Sequence, residues 1–254
     1  MGIISGYPTG AKIVVNLRKN GLCTKEEAER MLAFTNNSGP LFILGTVGIS
    51  LFGNSTIGFL LLFTHILASL TVGIIFRFYK YKNSVHNSSV FSNNQKEQVD
   101  FSNLGEVLGK SIMSGIKTVV MIGGFVVLFS VILSILKSSN IIEIASKILF
   151  PILKAFGINN VGFSSAILCG IIELTNGVMQ VATIAYRQIS INIIIASFLL
   201  GFGGLSVLLQ VYSIISKSDI SIKCYFIGKL LHGLFACIYT FIFITYFPVF
   251  NLNL

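Results

Sequence analysis

The chain has few charged residues, and this scarcity excludes an ordinary soluble domain. Charged side chains make up 11% of its 254 residues, and only nine side chains are acidic. Soluble domains carry about 25% charged residues. Hydrophobic residues account for 54% of the chain. The composition therefore predicts a protein that lies in a membrane, with the lipid bilayer as its first partner.

The chain also lacks the residue patterns that common enzyme and metal sites require. Its four cysteines contain no Cys-x-x-Cys pair, and three lie in apolar segments, so they are predicted to be small buried hydrophobic residues. Residues 6–12 lack the spacing of a phosphate-binding loop, and residues 201–204 lack the third glycine of a dinucleotide-binding turn. His65 and His232 each lie alone in an apolar segment and are predicted to be packed histidines rather than members of a proton relay. The sequence thus predicts no enzyme, no cofactor and no metal.

The excess of basic residues has a membrane explanation. The formal net charge is +9, but the cations are spread through loops and no dense basic run occurs, so nucleic acid is excluded as a partner. Basic residues of membrane proteins concentrate in cytoplasmic loops. Residues 80–104 are polar and rich in Ser and Asn, and they are predicted to be a cytoplasmic linker between halves at 1–79 and 105–254. The next loop also carries lysines, which leaves the orientation open.

Apolar runs of membrane-spanning length predict the fold. A helix needs about 20 apolar residues to cross the hydrocarbon core. Two shorter segments are predicted not to span: residues 39–53 as a re-entrant segment, and residues 141–156 as an interfacial helix interrupted at Pro151. The predicted fold class is an all-α polytopic protein of the cell membrane. Its spanning or deeply inserted segments are predicted at 57–76, 112–136, 161–185, 191–215 and 224–247.

Glu173 is the most informative single residue, because it lies inside the apolar run 166–177. A charged side chain at mid-bilayer costs roughly 2.5–3.5 kcal/mol on insertion scales, so an acidic residue there indicates function. Thr175 and Asn176 follow it directly. We therefore predict that Glu173 binds a cation, a proton or a polar group of a solute. The alternative is a neutral carboxylic acid that is hydrogen-bonded to a neighbouring helix.

Glycine-interrupted segments occur on both sides of the linker. The first half has them at residues 7–10 and 38–40, and the second half at residues 173–177 and 201–206. Matching interruptions in two halves indicate a carrier whose site is built from broken helices, related as inverted repeats. The breaks are predicted to meet near the bilayer midplane, at Gly10, Gly39, Gly177, Gly203 and Gly204.

The polar neighbours of these breaks form the predicted site for a small solute or ion. Its residues are Glu173, Thr175 and Asn176, facing Tyr7, Thr9, Asn36, Asn37 and Ser38. The repeat has a further consequence for the first half, which has only six residues ahead of Tyr7, whereas the second half has about 60 ahead of Glu173. We expect the complete protein to carry at least one further membrane segment before Gly2.

Ordered motifs run through the whole chain. The first half has Ser-Gly-Tyr-Pro-Thr-Gly-Ala-Lys at residues 5–12, a charged helix at 21–30 and Asn-Asn-Ser-Gly-Pro-Leu-Phe at 36–42. The second half has Gly-Ile-Ile-Glu-Leu-Thr-Asn-Gly at 170–177 and Gly-Phe-Gly-Gly-Leu-Ser at 201–206. In these motifs the chain resembles the YlbJ family of sporulation integral membrane proteins from spore-forming Firmicutes. Members of the family are longer, with further membrane segments ahead of the Gly-Tyr-Pro motif.

The resemblance implies a nucleoside-recognition, or Gate, domain, with 1–79 and 105–254 as its two Gate-like halves. It implies a membrane protein that is needed for formation of the spore cortex, with a transporter-like core for an unidentified solute. Other sporulation membrane proteins are then its expected protein partners. The alternative is a membrane scaffold that transports nothing and recruits cortex-building proteins. A polar cavity beside Glu173 would favour the carrier, and a packed interior would favour the scaffold.

Overall fold

The chain folds into helices throughout the residues that the computed structural model describes, which are 2–80, 104–184 and 189–247. No strand occurs in these ranges. The helices are α1 (Gly2–Ser5), α2 (Thr9–Lys19), α3 (Lys25–Thr35), α4 (Phe42–Leu51, a π-helix), α5 (Ser55–Phe76), α6 (Leu104–Ser138), α7 (Ile141–Ala155), α8 (Val161–Ile172), α9 (Leu174–Thr183), α10 (Ile189–Phe202), α11 (Gly204–Ile215) and α12 (Ile222–Tyr246).

Within the described ranges, four stretches are long and apolar enough to cross a membrane, which confirms an all-α, multi-pass membrane protein. They are α5, α6, α12 and the stretch from Ser190 to Ile215, which contains α10 and α11. The fifth predicted segment, 161–185, is a helical hairpin instead of one continuous helix, and its last residue lies outside the described ranges. Gly162 approaches Ile184, and Gly170 approaches Gly177, so α8 and α9 run back along each other.

The predicted re-entrant segment is the π-helix α4, which packs against the start of α5. A Cβ atom placed on Gly48 would lie 2.4 Å from the Cα atom of Gly58, so the two backbones touch. Asn54 accepts a hydrogen bond from the Thr56 amide at 2.8 Å and thereby caps α5. Longer π-helical stretches are rare and are frequently found at functional sites.

The charged helix α3 begins after Thr24, which caps it. The Glu27 amide donates to the Thr24 hydroxyl at 3.2 Å, and the Thr24 amide donates to the Glu27 carboxylate at 2.8 Å. This reciprocal pair satisfies two of the amides that a helix start leaves open. The helix then buries Ala28, Leu32 and Ala33 against neighbouring helices.

Both large hydrophobic cores draw residues from each side of the predicted linker. Ile43 and Leu60 pack with Phe163 and Leu199 in one core. The other combines residues of α2 and α3 with residues of α10 to α12. Helix α12 is central to this arrangement, because it packs against α3, α5 and α10. Residues 81–103 of the predicted linker lie outside the described ranges, so the cytoplasmic placement of the linker stays a prediction.

The turn between α11 and α12 is joined to α2 by an ion pair. Arg18 donates to both carboxylate oxygens of Asp219, at 3.1 and 2.7 Å. These hydrogen bonds lower the pKa of Asp219 from its ordinary value. The pair is partly exposed, so we assign it at most about 1 kcal/mol of stability.

Helices α6 and α7 lie at the edge of the described fold. Only Phe129 and Leu133 of the 35 residues of α6 are buried. The predicted interruption of α7 at Pro151 is wrong, since the helix runs unbroken through it. A proline inside a helix loses a hydrogen bond, but α7 keeps its shape because it packs along α8.

Candidate functional site

Four interruptions of the helices meet at one place in the fold. They lie at residues 6–8, at residues 36–39, at Glu173 and at Gly203. A Cβ atom on Gly6 would lie 3.0 Å from the Cα atom of Gly39, and one on Gly203 would lie 3.1 Å from the hydroxyl of Tyr7. Both glycines have positive φ angles, +75° and +85°, which side chains rarely tolerate. Gly6 and Gly203 must therefore be glycine for two reasons, their backbone conformation and the lack of space for a side chain.

A cavity of about 330 Å³ opens where the interruptions meet. Residues of α6 form part of its wall: Ile122, Phe125 and Val126. Apolar walls with a few polar groups are typical of sites for small molecules. The polar residues that line it are Ser5, Tyr7, Ser38, Glu173, Thr175, Ser206 and Gln210.

Glu173 forms the tip of the hairpin between α8 and α9, and its side chain caps α9. The residue is 1% exposed and has an extended backbone, with φ −140° and ψ 117°. One carboxylate oxygen accepts from the Thr175 amide at 3.0 Å, and the other accepts from the Asn176 amide at 2.8 Å. The helix start favours a negative charge here, because its amides and its dipole both point at the carboxylate.

Asn176 holds the Glu173 carboxylate and ties it to α6. Its side-chain amide donates to Glu173 at 2.8 Å and to the hydroxyl of Ser130 at 3.0 Å. Three protein donors therefore reach the carboxylate, which has about four lone-pair positions. The carboxylate keeps acceptor capacity toward the cavity that it lines.

Tyr7 and Ser38 also line the cavity. The buried hydroxyl of Tyr7 lies beside Ser38 without a well-formed hydrogen bond. Ser38 donates a long hydrogen bond, at 3.5 Å, to the carbonyl of Leu200 in α10. This contact links the interruption at 36–39 to the helix that ends at Gly203.

The other three predicted residues support the site from outside the cavity. Asn36 accepts from the Ala11 amide at 3.3 Å and donates to the Tyr225 hydroxyl at 2.8 Å. Asn37 donates to the Phe34 carbonyl at 2.7 Å and to Ser69 at 2.9 Å. Thr9 is the first residue of α2 and is partly buried. The two asparagines thus fix the broken segment to α2, α5 and α12.

The glycines predicted to break helices divide into two groups. Gly39, Gly203 and Gly204 lie at interruptions. Gly10 and Gly177 lie inside α2 and α9, and the interruptions come a few residues earlier. Their role is close packing, because a Cβ atom on Gly10 would lie 2.6 Å from the Thr35 carbonyl, and one on Gly177 would lie 2.1 Å from the Cα atom of Gly170.

Comparison with known proteins gives one match to a curated protein. The chain is 34% identical, over 257 aligned positions, to the sporulation integral membrane protein YlbJ of Bacillus subtilis (strain 168), and the match covers 94% of this chain. The chain belongs to the YlbJ family. It spans 61% of the length of that YlbJ protein. No family model and no solved structure matches the chain.

This YlbJ-family chain has two cavity residues that the sequence analysis missed. Ser206 and Gln210 lie four residues apart on α11, on one face of the helix. Gln210 is 3% exposed, and its side-chain nitrogen has no hydrogen-bond partner among the described residues. Polar side chains inside an apolar helix are costly in a membrane, so the argument that pointed to Glu173 also applies to Ser206 and Gln210.

The sequence analysis also missed a buried lysine in an apolar helix. Lys229 lies in α12 and is completely buried, as is His232 one turn further along. The rings of His65 and His232 lie in contact, with their centres 4.3 Å apart and their planes tilted by 43°. Both histidines are buried and packed against each other, so they do not lie alone as the sequence suggested. Sequence spacing shows only that Lys229 and His232 share a helix face, whereas the contact with His65 depends on how α5 and α12 pack.

Proposed function

We propose that the chain forms the core of a membrane carrier or gate for a small polar solute, and that the cavity beside Glu173 is the solute site. One observation carries the proposal, which is that four helix interruptions converge on this cavity. Unwound backbone at membrane depth is tolerated where it lines a cavity or is buried in protein. Carriers build their solute sites from such broken helices.

The chemistry of the cavity supports a solute with both hydrogen-bond donors and acceptors. Glu173 offers an acceptor that carries a negative charge when ionised. Gln210 offers an unused donor, and Tyr7 and Ser206 offer hydroxyls that can donate or accept. A volume of about 330 Å³ lies at the lower end of the range for small-molecule sites. Binding and release are the chemistry that this lining supports, and catalysis is not part of the proposal.

Family membership supports a role in sporulation. The relative is named a sporulation integral membrane protein, and the resemblance of the motifs implies formation of the spore cortex. We extend both to this chain as part of the proposal, with other sporulation membrane proteins as its partners. The cavity favours the carrier over the scaffold, because a scaffold does not need an acidic residue beside an internal space.

The proposal predicts that Glu173→Gln impairs sporulation while the protein still inserts into the membrane. The substitution keeps the size of the side chain and removes a charge from the membrane interior, which eases insertion if it changes it at all. The measurement is the fraction of refractile, heat-resistant spores in the spore-forming host, with the amount of membrane-inserted protein measured by immunoblot.

The matched control is Glu143→Gln on α7. Glu143 is exposed and pairs with Lys147 on its own helix at 2.9 Å, so this variant also removes one carboxylate. We expect normal spores from the control and a loss of at least tenfold in heat-resistant spores from Glu173→Gln. Equal spore yields from the two variants, at equal protein levels, would remove Glu173 from the solute site.

A further inference from the structure

Three basic side chains are buried together beside the ring of Tyr7. They are Lys229 and His232 on α12 and His65 on α5, each at most 2% exposed. The solute site proposed above uses none of them. Ionisable residues inside a membrane protein are rare because they are costly, and a cluster of three therefore indicates a function of its own.

The hydrogen bonds assign the protons in this cluster. The Nε2 atom of His232 lies 2.9 Å from the backbone carbonyl of His65. A carbonyl can only accept, so Nε2 carries the proton and Nδ1 of the neutral ring is an acceptor. The Nζ atom of Lys229 lies 3.2 Å from Nδ1 and donates to it.

Lys229 and His232 therefore have one position between them for an additional proton. A proton on Nδ1 of His232 would face the Lys229 nitrogen, and two adjacent positive charges repel strongly away from water. The pair takes up and releases protons as a unit. Both ring nitrogens of His65 lack hydrogen-bond partners among the described residues, so His65 offers a neighbouring place for the same proton.

No carboxylate forms a described hydrogen bond or ion pair with the cluster. Helix α10 carries no ionisable side chain, and the one ionisable residue of α11, Tyr212, is half exposed. Glu29 of α3 bonds instead to the Ser221 amide at 3.1 Å and pairs with Lys80 at 3.8 Å. The remaining neighbours are phenols, Tyr7 and Tyr225. A permanent positive charge here would have no negative charge to compensate it. This favours a proton that binds and dissociates.

The cluster contacts one residue that lines the cavity, Tyr7, and one that supports the cavity from outside, Asn36. Lys229 donates to the backbone carbonyl of Asn36 at 3.3 Å, at the start of the interruption at residues 36–39. Its nitrogen also lies 5.1 Å from the centre of the Tyr7 ring. A lysine cation attracts both the carbonyl and the ring face, and a neutral amine attracts them less. The charge of the pair thus acts on the segments that carry Ser38 and Tyr7.

We propose that Lys229, His232 and His65 form a proton-binding site whose occupancy sets the conformation of residues 36–39 and Tyr7. The bound proton resides on Lys229, shared with Nδ1 of His232. When it leaves, the neutral amine releases the Asn36 carbonyl and the Tyr7 ring, and the cavity changes shape. The inference rests on the proposed function in one respect, since it makes the proton the coupling ion of that carrier.

The test needs no solute, so its outcome is independent of the sporulation experiment. The chain contains no tryptophan, and Phe42→Trp places a single indole at the cavity wall just after the interruption at 36–39. The purified full chain is titrated from pH 5 to 9 in lipid nanodiscs, and quenching of the indole by acrylamide is measured. We expect the quenching constant to change at least twofold along a one-proton curve.

Lys229→Met added to Phe42→Trp should make the quenching constant independent of pH. The matched control is Lys117→Met, which removes an exposed lysine from the apolar helix α6, and it should leave the curve unchanged. His232→Gln is a second variant for the case in which Lys229→Met does not fold, as judged by size-exclusion chromatography. It should also flatten the curve. A flat curve in Phe42→Trp alone, or the same curve in all folded variants, would overturn the proposal.

A second measurement tests the same proposal without any substitution in the cluster. The chain has three histidines, and His86→Gln leaves only His65 and His232. With ¹⁵N-labelled histidine, the Nδ1 resonance of His232 should shift between pH 5 and 9, because its donor changes from an ammonium to an amine or it takes up the proton itself. Histidine resonances that do not move over this range would show that the cluster binds no exchangeable proton.

Discussion

At the scale of single residues, Glu173 combines a structural and a functional position. Its carboxylate caps α9 and lines the cavity at the same time. The two roles require different properties of the side chain. Capping needs an acceptor oxygen, which glutamine also has, whereas binding a cation or proton needs the charge. Substitutions at this position can therefore separate stability from activity.

Glu173→Ala should destabilise the protein more than Glu173→Gln does. Alanine leaves the amides of Thr175 and Asn176 without their acceptor inside the fold, at a cost of about 1–3 kcal/mol. Glutamine keeps one acceptor and should cost less. Thermal unfolding in detergent measures the order, and about 2–4 °C per kcal/mol is expected for a chain of this size. An alanine variant that melts with the parent would show that the cap contributes nothing.

At the scale of helices, α6 is the element most weakly attached to the site that it covers. Among the described residues, three side-chain hydrogen bonds join it to other helices: Lys12 to Thr118, Asn176 to Ser130 at 3.0 Å and Ser213 to the sulfur of Met121 at 3.9 Å. Few buried side chains accompany these contacts. A helix that forms a cavity wall through few contacts is the part of a structure that needs the least free energy to move.

Ser130→Ala should loosen α6, because it removes the hydrogen bond from Asn176. Spin labels on two exposed positions, Val127 of α6 and Ile238 of α12, report the distance between these helices by double electron–electron resonance. We expect a broader distribution of distances in the variant. Ser138→Ala is the control, since the hydroxyl of Ser138 bonds only within α6. A distribution as narrow as that of the control would contradict this view of α6.

The helices also show where sequence reasoning succeeds and where it stops. Long apolar runs predicted α5, α6 and α12 because length and composition alone decide that a helix can span. The interruption near Glu173 was predicted, but the reversal of the chain into a hairpin at 161–184 was not, because a break in an apolar run does not show in which direction the next helix runs. The turn of the hairpin depends on two local features that reinforce each other, a carboxylate that caps α9 and the contact of Gly170 with Gly177.

The site, like the helices, could be predicted only in part from the sequence. Glu173, Tyr7 and Ser38 were predicted beside the cavity because polar residues and glycines mark interruptions of apolar helices. Gln210 and Lys229 were not predicted as functional residues, although each is a polar residue in an apolar helix. Which face of a helix points inward depends on the packing of its neighbours, so a single polar residue in a helix does not show what it will contact.

At the scale of the whole molecule, the two halves join into one structure and not into two separable units. Helix α12 of the second half packs against α3 and α5 of the first. Gly228 approaches Ala33, and Gly201 approaches Gly233 within the second half. Such close backbone contacts between helices are the main source of stability in membranes, where apolar surfaces gain little from leaving lipid.

The basic residues around residues 80–104 predict an orientation of the whole molecule that can be measured. Arg77 and Lys80 follow α5, and Lys110 lies in the first turns of α6, so the intervening residues 80–104 should be cytoplasmic. A single cysteine at Ser88 should react with a membrane-impermeant thiol reagent in inside-out vesicles and not in intact cells. Reaction in intact cells alone would reverse the orientation.

The central claim is that the cavity beside Glu173 opens to water as a carrier site must. Ser206→Cys tests it, because Ser206 lines the cavity and is 4% exposed. The parent protein, whose own cysteines are buried or partly buried, gives the background reaction. The measurement is the rate at which a small membrane-impermeant thiol reagent modifies Ser206→Cys, from intact cells and from inside-out vesicles.

The account predicts that this cysteine reacts at least tenfold above background from both sides of the membrane. Reaction from both sides distinguishes a carrier from a packed scaffold. A shift in the balance of the two rates in Glu173→Gln distinguishes alternating openings from a fixed pore. A cysteine at position 206 that stays at background from both sides, in a protein that is folded and inserted, would contradict the carrier.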